Sequence, residues 1–182
     1  MVLSHADVQK IVHNLGRREL ENPEGHGVDL RLGEVHRISG GQAFIESDTK
    51  DGQGMRSGFE TELVMRFDES ADQQEKLVVQ PGDYYLVKTV ESVDMPMDVL
   101  GDFRPRSSLF RAGLVLLTSV APSGYKGGLI FGLYNAGPLP VTLQMGARVA
   151  AAVFYRSEKK GIAYRGQNQH GRITAAGTEQ QV

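Results

Sequence analysis

Apolar and polar residues alternate in short runs along most of this chain, and glycine or proline closes many of them. Residues 27–33 show the pattern clearly: Val28, Leu30 and Leu32 alternate with Asp29 and Arg31 between two glycines. A period of two puts successive side chains on opposite faces of an extended strand. Residues 35–45 read as strand, turn (Ser39, Gly40, Gly41) and strand, and residues 60–67 alternate again. Residues 77–79 run into a Gln80-Pro81-Gly82-Asp83 turn signal, and 84–90 form a strong strand pattern. Residues 113–120 are apolar and partly β-branched, which predicts a buried strand. Further strands are predicted over 125–135, 141–143 and 148–155, separated by turns at 121–124, 136–140 and 144–146. Turn signals every ~8–12 residues predict an all-β body, a sandwich or barrel.

One helix is predicted at the start. Ser4 can cap it, Val8, Ile11, Val12 and Leu15 share one helical face, and Gly16 would end it. Residues 19–27 and 46–58 are polar and glycine-containing, so both read as loops, the second as a mobile one. Residues 68–76 are rich in charge and read as a solvated excursion. Residues 164–172 form a polar, glycine-punctuated tail that cannot build a core element and must either stay loose or close over something.

The 182 residues fit one domain and need no staple to hold a core. There is no cysteine, which excludes disulfides, thiolate metal sites and a cysteine nucleophile. The five histidines lie apart in sequence, with no H-x-x-x-H pair, so no zinc site is expected. A net charge of -2 argues against a general nucleic-acid footprint. No apolar run reaches the ~18 residues of a membrane-spanning helix, and no secretory signal is visible, so a cytoplasmic protein is expected.

Two features go beyond a generic barrel. Between positions 104 and 111 the chain places Arg104, Arg106 and Arg111 around the adjacent hydroxyls Ser107 and Ser108. Guanidinium forks and hydroxyls suit the oxygens of a triphosphate. A charged turn leading into a helix capped by Ser107 or Ser108 is the plainer reading. The second feature is Asp29, a disfavoured residue in a short strand. A solvated outer face is its simpler explanation, and a specific partner the other.

Taken in order, Gly27 through Gly33, the Arg106-Ser107-Ser108-Leu109 segment with Gly113, the run from Gly127 to Asn135, Leu139-Pro140-Val141 with Gly146-Ala147-Arg148, and Tyr164-Arg165-Gly166-Gln167 resemble the dCTP deaminase branch of the dCTP deaminase/dUTPase superfamily. The likeness runs from the first helix to about Thr174. It implies a distorted β-barrel or jelly-roll domain over residues 1–163, and a tail, 164–182, placed to close over the nucleotide. It also implies a homotrimer with sites between subunits, and magnesium-bound pyrimidine deoxynucleoside triphosphates such as dCTP or dUTP as ligands. By position, Arg106, Ser107, Ser108 and Arg111 would contact phosphates or assist the reacting base, Ser107 and Arg111 in supporting catalytic roles. Tyr125 would pack on the deoxyribose, and Tyr164 and Gln167 would close over the nucleotide. The Mg2+ would be carried mainly by the triphosphate and water.

The resemblance fails at the acids. Deamination at C4 of cytosine needs a carboxylate that cycles its proton. In dCTP deaminases this is a Glu three residues before the strand asparagine, and here that position is Gly132. The aspartate that orients water in dUTPases falls on Pro122 when the chain is aligned on Tyr125 and Gly127. No carboxylate occurs anywhere between Phe103 and Arg156. Replacement acids would have to come from Asp29, Glu34, Glu91, Asp98 or Asp102, or from another subunit. Two readings follow: an enzyme of pyrimidine deoxynucleotide metabolism with a relocated acid, or a catalytically inactive trimer that binds nucleotide or serves as a regulatory or scaffold protein.

Overall fold

The computed structural model describes residues 1–175 and 177–181. The chain is mostly β and curls into a distorted, half-open barrel with short helices at its edges. The strands, in chain order, are β1 (Val12–His13), β2 (Val28–Gly40), β3 (Phe44–Ile45), β4 (Met55–Ser57), β5 (Glu60–Arg66), β6 (Lys76–Val79), β7 (Tyr84–Asp94), β8 (Val99–Pro105), β9 (Leu114–Leu117), β10 (Val120–Ala121), β11 (Lys126–Asn135), β12 (Val141–Gln144), β13 (Arg148–Arg156) and β14 (Thr178–Gln180). The helices are α1 (His5–Val8), α2 (Arg17–Glu21) and α3 (Ser107–Arg111). The main sheet runs β10-β8-β13-β2-β7-β11-β9, with β1 on β7 and β5 on β2. β12 pairs with β6, and β14-β4-β3 form a small separate sheet.

Alternation in the sequence is what folds this sheet. Val28, Leu30 and Leu32 of β2 face inward with Val87 of β7, Leu129, Phe131 and Leu133 of β11, and Phe154 of β13. Phe103 sits among them, tilted against Phe131 and edge-on to Phe154. Burying side chains of this size contributes roughly 1.5–3 kcal/mol each.

The N-terminal helix is shorter than its periodicity predicts. Ser4 does cap α1, its hydroxyl accepting from the Asp7 amide, but the helix ends at Val8. The following β-branched Ile11 and Val12 are buried, and Val12 and His13 pair with Val93 and Ser92 as a strand. Sheet hydrogen bonds and burial outweigh an apolar period that fits a helix equally well. Residues 19–27 are not all loop, because α2 reaches Glu21. Residues 46–58 are not a bare loop either: β4 lies there and bridges β3 and β14. The predicted strand over 113–120 divides into β9 and β10, with the Thr118 hydroxyl donating to the Phe103 carbonyl at the break.

The tail packs more tightly than its polar composition suggests. Tyr164 lies edge-on against Tyr125, a 3-10 turn at Gln169–Gly171 rests on β11, and Gly171 is buried. Gly127 and Gly171 make this contact feasible, since a Cβ on Gly127 would meet the Gly171 and His170 backbone at about 2.5 Å. Beyond it, Glu179 of β14 accepts from Arg172 and Arg56 at 2.6 and 2.8 Å. The hydrogen bond from Arg172 holds the Glu179 carboxyl below the usual glutamate range; burial opposes this and Arg56 reinforces it. A depressed folded pKa stabilises the strand above the ordinary value near ~4.3 and is lost as pH falls through the lowered one. Hydrogen exchange corrected for intrinsic rate should therefore show β14 losing protection on acidification below about pH 4, before the main sheet does. Equal loss in both would refute this.

Candidate functional site

The arginine–serine segment begins at the end of β8. The Arg106 amide donates to the Val149 carbonyl of β13, and Arg106 takes the N-cap position of α3. Neither Ser107 nor Ser108 is the cap, and Arg106 supplies no side-chain cap. Ser107, Ser108 and Arg111 are exposed, and among the described residues their side chains make no hydrogen bond or ion pair with the protein. Arg104 is different: it is paired with Asp102 at 3.0 Å.

Asp29 has the specific partners that an outward, solvated residue would lack. Its Oδ2 accepts from Arg148 at 2.9 Å and pairs with Arg106 at 3.1 Å. Only 15% of its side chain is exposed. One carboxylate between two guanidiniums leaves this corner of the barrel with a surplus positive charge beside α3. The two arginines come from β13 and the β8–α3 junction, so the barrel itself fixes their spacing.

Tyr125 and Tyr164 lie elsewhere. Both line a cavity of about 420 Å³ together with Phe103, Pro122, Asn168 and Arg172. Tyr125 is buried, with 8% exposure, and its hydroxyl donates to the Gly128 carbonyl at 2.6 Å. Burial pushes its phenol pKa up, assisted by Tyr164. Gln167 does not line this cavity; its carboxamide donates to the Gln180 carbonyl of the tail's own strand. The exposed donors on α3 and this cavity are not one pocket within the subunit, since no α3 residue lines it.

Gly132 is the position that the resemblance equates with the deaminase acid. It belongs to the outer face of β11 with Ile130 and Tyr134, while Phe131 and Leu133 are buried in the core. A Cβ here would lie 2.6 Å from the Tyr84 hydroxyl and 3.3 Å from Leu117 Cβ. Tyr84 of β7 thus lies over the space a larger residue would use. The sequence carried no signal of this, because it depends on the register that sets Tyr84 opposite Tyr134, two pairs beyond Gly132 and Leu86.

The other candidate acids named above are paired. Glu91 is fully buried and bonded to the Arg31 side chain and amide, both at 2.7 Å. Asp98 pairs with Arg156 and Asp102 with Arg104. Among these candidates Glu34 faces the Gly132 side of the sheet: in the register its neighbour His36 pairs with Leu86, and Leu86 pairs with Gly132. Glu34 contacts His36 at 2.9 Å and Arg66 at 3.1 Å. Burial raises its pKa, but the His36 hydrogen bond and the charges of Lys88 and Arg66 outweigh that and leave it below the usual range. A carboxylate held in that range is a poor proton acceptor near neutrality. Among the described residues no group of three or more His, Asp or Glu side chains is placed to hold a metal ion, and no helix is long and apolar enough to cross a membrane.

Comparison with known proteins agrees with this architecture. A dCTP deaminase-like family model matches residues 2–157. A dCTP deaminase of Natronomonas pharaonis is 30% identical over 186 residues, covering 92% of this chain and 91% of that protein. A dCTP deaminase of Pyrococcus horikoshii is 40% identical over 87 residues, with 48% of this chain matched and 56% of the relative. Among solved structures, the 2'-deoxycytidine 5'-triphosphate deaminase of Agrobacterium tumefaciens superposes with a TM-score of 0.62 at 16% identity, over 86% of this chain and 48% of that one. The chain thus spans about half the length of two of these three proteins. With the β-barrel, the arginine–serine turn on α3 and a family match over most of its length, this chain belongs to the dCTP deaminase-like family.

Proposed function

We propose that this protein binds magnesium-bound pyrimidine deoxynucleoside triphosphates, dCTP or dUTP, between subunits of a homotrimer and does not deaminate them. The observation that carries the reading is the exposed set Ser107, Ser108 and Arg111, unpartnered among the described residues, beside the Asp29-bridged arginines. Exposed donors with no protein acceptor are suited to a polyanion. Arg106 and Arg148 add fixed positive charge, and Tyr125 and Tyr164 offer an aromatic wall in the cavity. Because the donors and the cavity are separate within one chain, a shared site joins the α3 of one subunit to the cavity of the next. Exposed Val115, Leu117 and Tyr134 on adjoining strands give such neighbours an apolar face to bury. Magnesium enters with the triphosphate, whose oxygens and water satisfy it.

The absence of deamination follows from Gly132. Gly132 offers no proton acceptor, and a Cβ at that position would meet the Tyr84 hydroxyl at 2.6 Å, so a larger residue needs the Tyr84 ring to move. A second reading, deamination by the Glu34–His36 pair two strands away, is supported by their shared sheet face and weakened by the low pKa of Glu34.

Calorimetric titration tests the binding. Arg111→Ala should weaken Mg-dCTP or Mg-dUTP binding roughly tenfold or more, the effect of losing a charge-assisted hydrogen bond. Thermal unfolding should show a nucleotide-dependent rise in Tm for the wild type and a smaller one for the variant. Equal binding by both proteins would remove α3 from the site.

A further inference from the structure

Gln169 was no candidate on sequence grounds, yet its carboxamide bonds the backbone at two points. Its Oε1 accepts from the Lys126 backbone N–H at 2.8 Å, and its Nε2 donates to the Gly124 carbonyl at 3.0 Å. These two backbone groups flank Tyr125, which lines the 420 Å³ cavity with Pro122 and Asn168. A carboxamide presents an acceptor and a donor on two atoms bonded to one carbon. The O4–C4–N3–H edge of uracil has the same arrangement, and so does the N3–C4–N4–H edge of cytosine. Gln169 therefore satisfies the turn as the edge of a pyrimidine would.

We propose that Gln169 is an internal ligand: in the free protein its carboxamide occupies the backbone donor and acceptor of residues 124 and 126 that a pyrimidine edge takes on binding. The inference rests on the binding function proposed above. Nucleotide entry then requires the 3-10 turn at Gln169–Gly171 to release its hold on β11. The seat is well made, because Gly171 packs against the Gly128 backbone and Tyr164 packs on Tyr125. The Gly124 carbonyl is part-buried, and a backbone group left there without a partner is costly, so a chain that leaves this turn open between ligands gains by filling it from its own tail.

Titration of the full chain and its Gln169→Ala variant with Mg-dUTP, Mg-dCTP and inorganic triphosphate separates the outcomes. If Gln169 competes with the base, the variant binds one or both nucleotides about tenfold more tightly. Inorganic triphosphate, which has no base edge, binds both proteins alike. Gln169→Glu should act in the same direction, since a carboxylate loses the donor and faces the Gly124 carbonyl. The variant's Tm reports that it is folded. Nucleotide affinity that is unchanged or weaker in Gln169→Ala overturns the inference and leaves the binding function standing. Tighter binding of inorganic triphosphate by the same factor also overturns it, because Gln169 would then be a general cover. Failure of both proteins to bind any nucleotide at millimolar concentration overturns the inference and the binding function together.

Discussion

Replacing Arg31 by alanine is expected to destabilise the barrel by about 3–5 kcal/mol, the cost of stranding one member of a buried ion pair. Arg31 gives Glu91 two hydrogen bonds at 2.7 Å, one from the guanidinium and one from its own amide. It also donates to the Asn14 carbonyl at 2.6 Å and lies 5.5 Å from the Phe67 ring centre. In the variant, the fully buried Glu91 loses the guanidinium and its charge and keeps backbone partners. The penalty should depend on pH with a definite sign. Burial pushes the Glu91 pKa above the ordinary range even with Arg31 present. A raised folded pKa means that stability is greatest below the unfolded value of ~4.3 and declines as pH rises through the folded one. Removing Arg31 raises that pKa further. Urea unfolding should therefore show the deficit of Arg31→Ala widening from pH 5 to pH 8. Arg31→Met combined with Glu91→Leu should recover most of the loss, because an apolar pair of similar volume needs no desolvation. A single variant within about 1 kcal/mol of wild type at pH 7 would show that the pair is not structural.

Gly132→Glu is expected to cost about 3 kcal/mol and to yield no deaminase. The new Cβ would meet the Tyr84 hydroxyl at 2.6 Å, so the ring must move or the strand must shift. The neighbours a Cβ would meet are the Tyr84 ring and Leu117 Cβ, so the strain falls on these two side chains. Tyr84→Ala in the same chain should recover part of the stability by clearing the space. Detectable deamination by Gly132→Glu alone would mean that Tyr84 yields freely, and a stability equal to wild type would mean the same.

Particular residues show what was legible in the sequence and what was not. The inward faces of β2 and β11 follow from a period of two, because a barrel wall must alternate if one side is buried. The same logic misplaced Ile11 and Val12, since positions 8, 11, 12 and 15 satisfy a helical stripe as well as a turn leading into a strand. Pairing with Val93 and Ser92 decided between them, and a partner 80 or so residues away is invisible locally. Asp29 was legible as an anomaly but not as an ion-pair centre, because Arg106 and Arg148 reach it only through the pairing of β13 with β2 and β8. The arginine–serine turn was readable as chemistry because its residues are contiguous. Gln169 and Tyr84 were not, since each acquires its role by lying against a strand distant in sequence. That position 132 carries glycine is plain in the sequence, whereas its close approach to Tyr84 depends on packing across β7 and β11.

Titration of the full chain with Mg-dCTP and with Mg-dUTP, followed by chromatography of the recovered nucleotide, tests the binding function most directly. Saturable binding of at least one of them, weakened by Arg111→Ala, with the nucleotide recovered unchanged, is the predicted result. Absence of binding at millimolar concentration would contradict it, and so would conversion of dCTP to dUTP or of dUTP to dUMP.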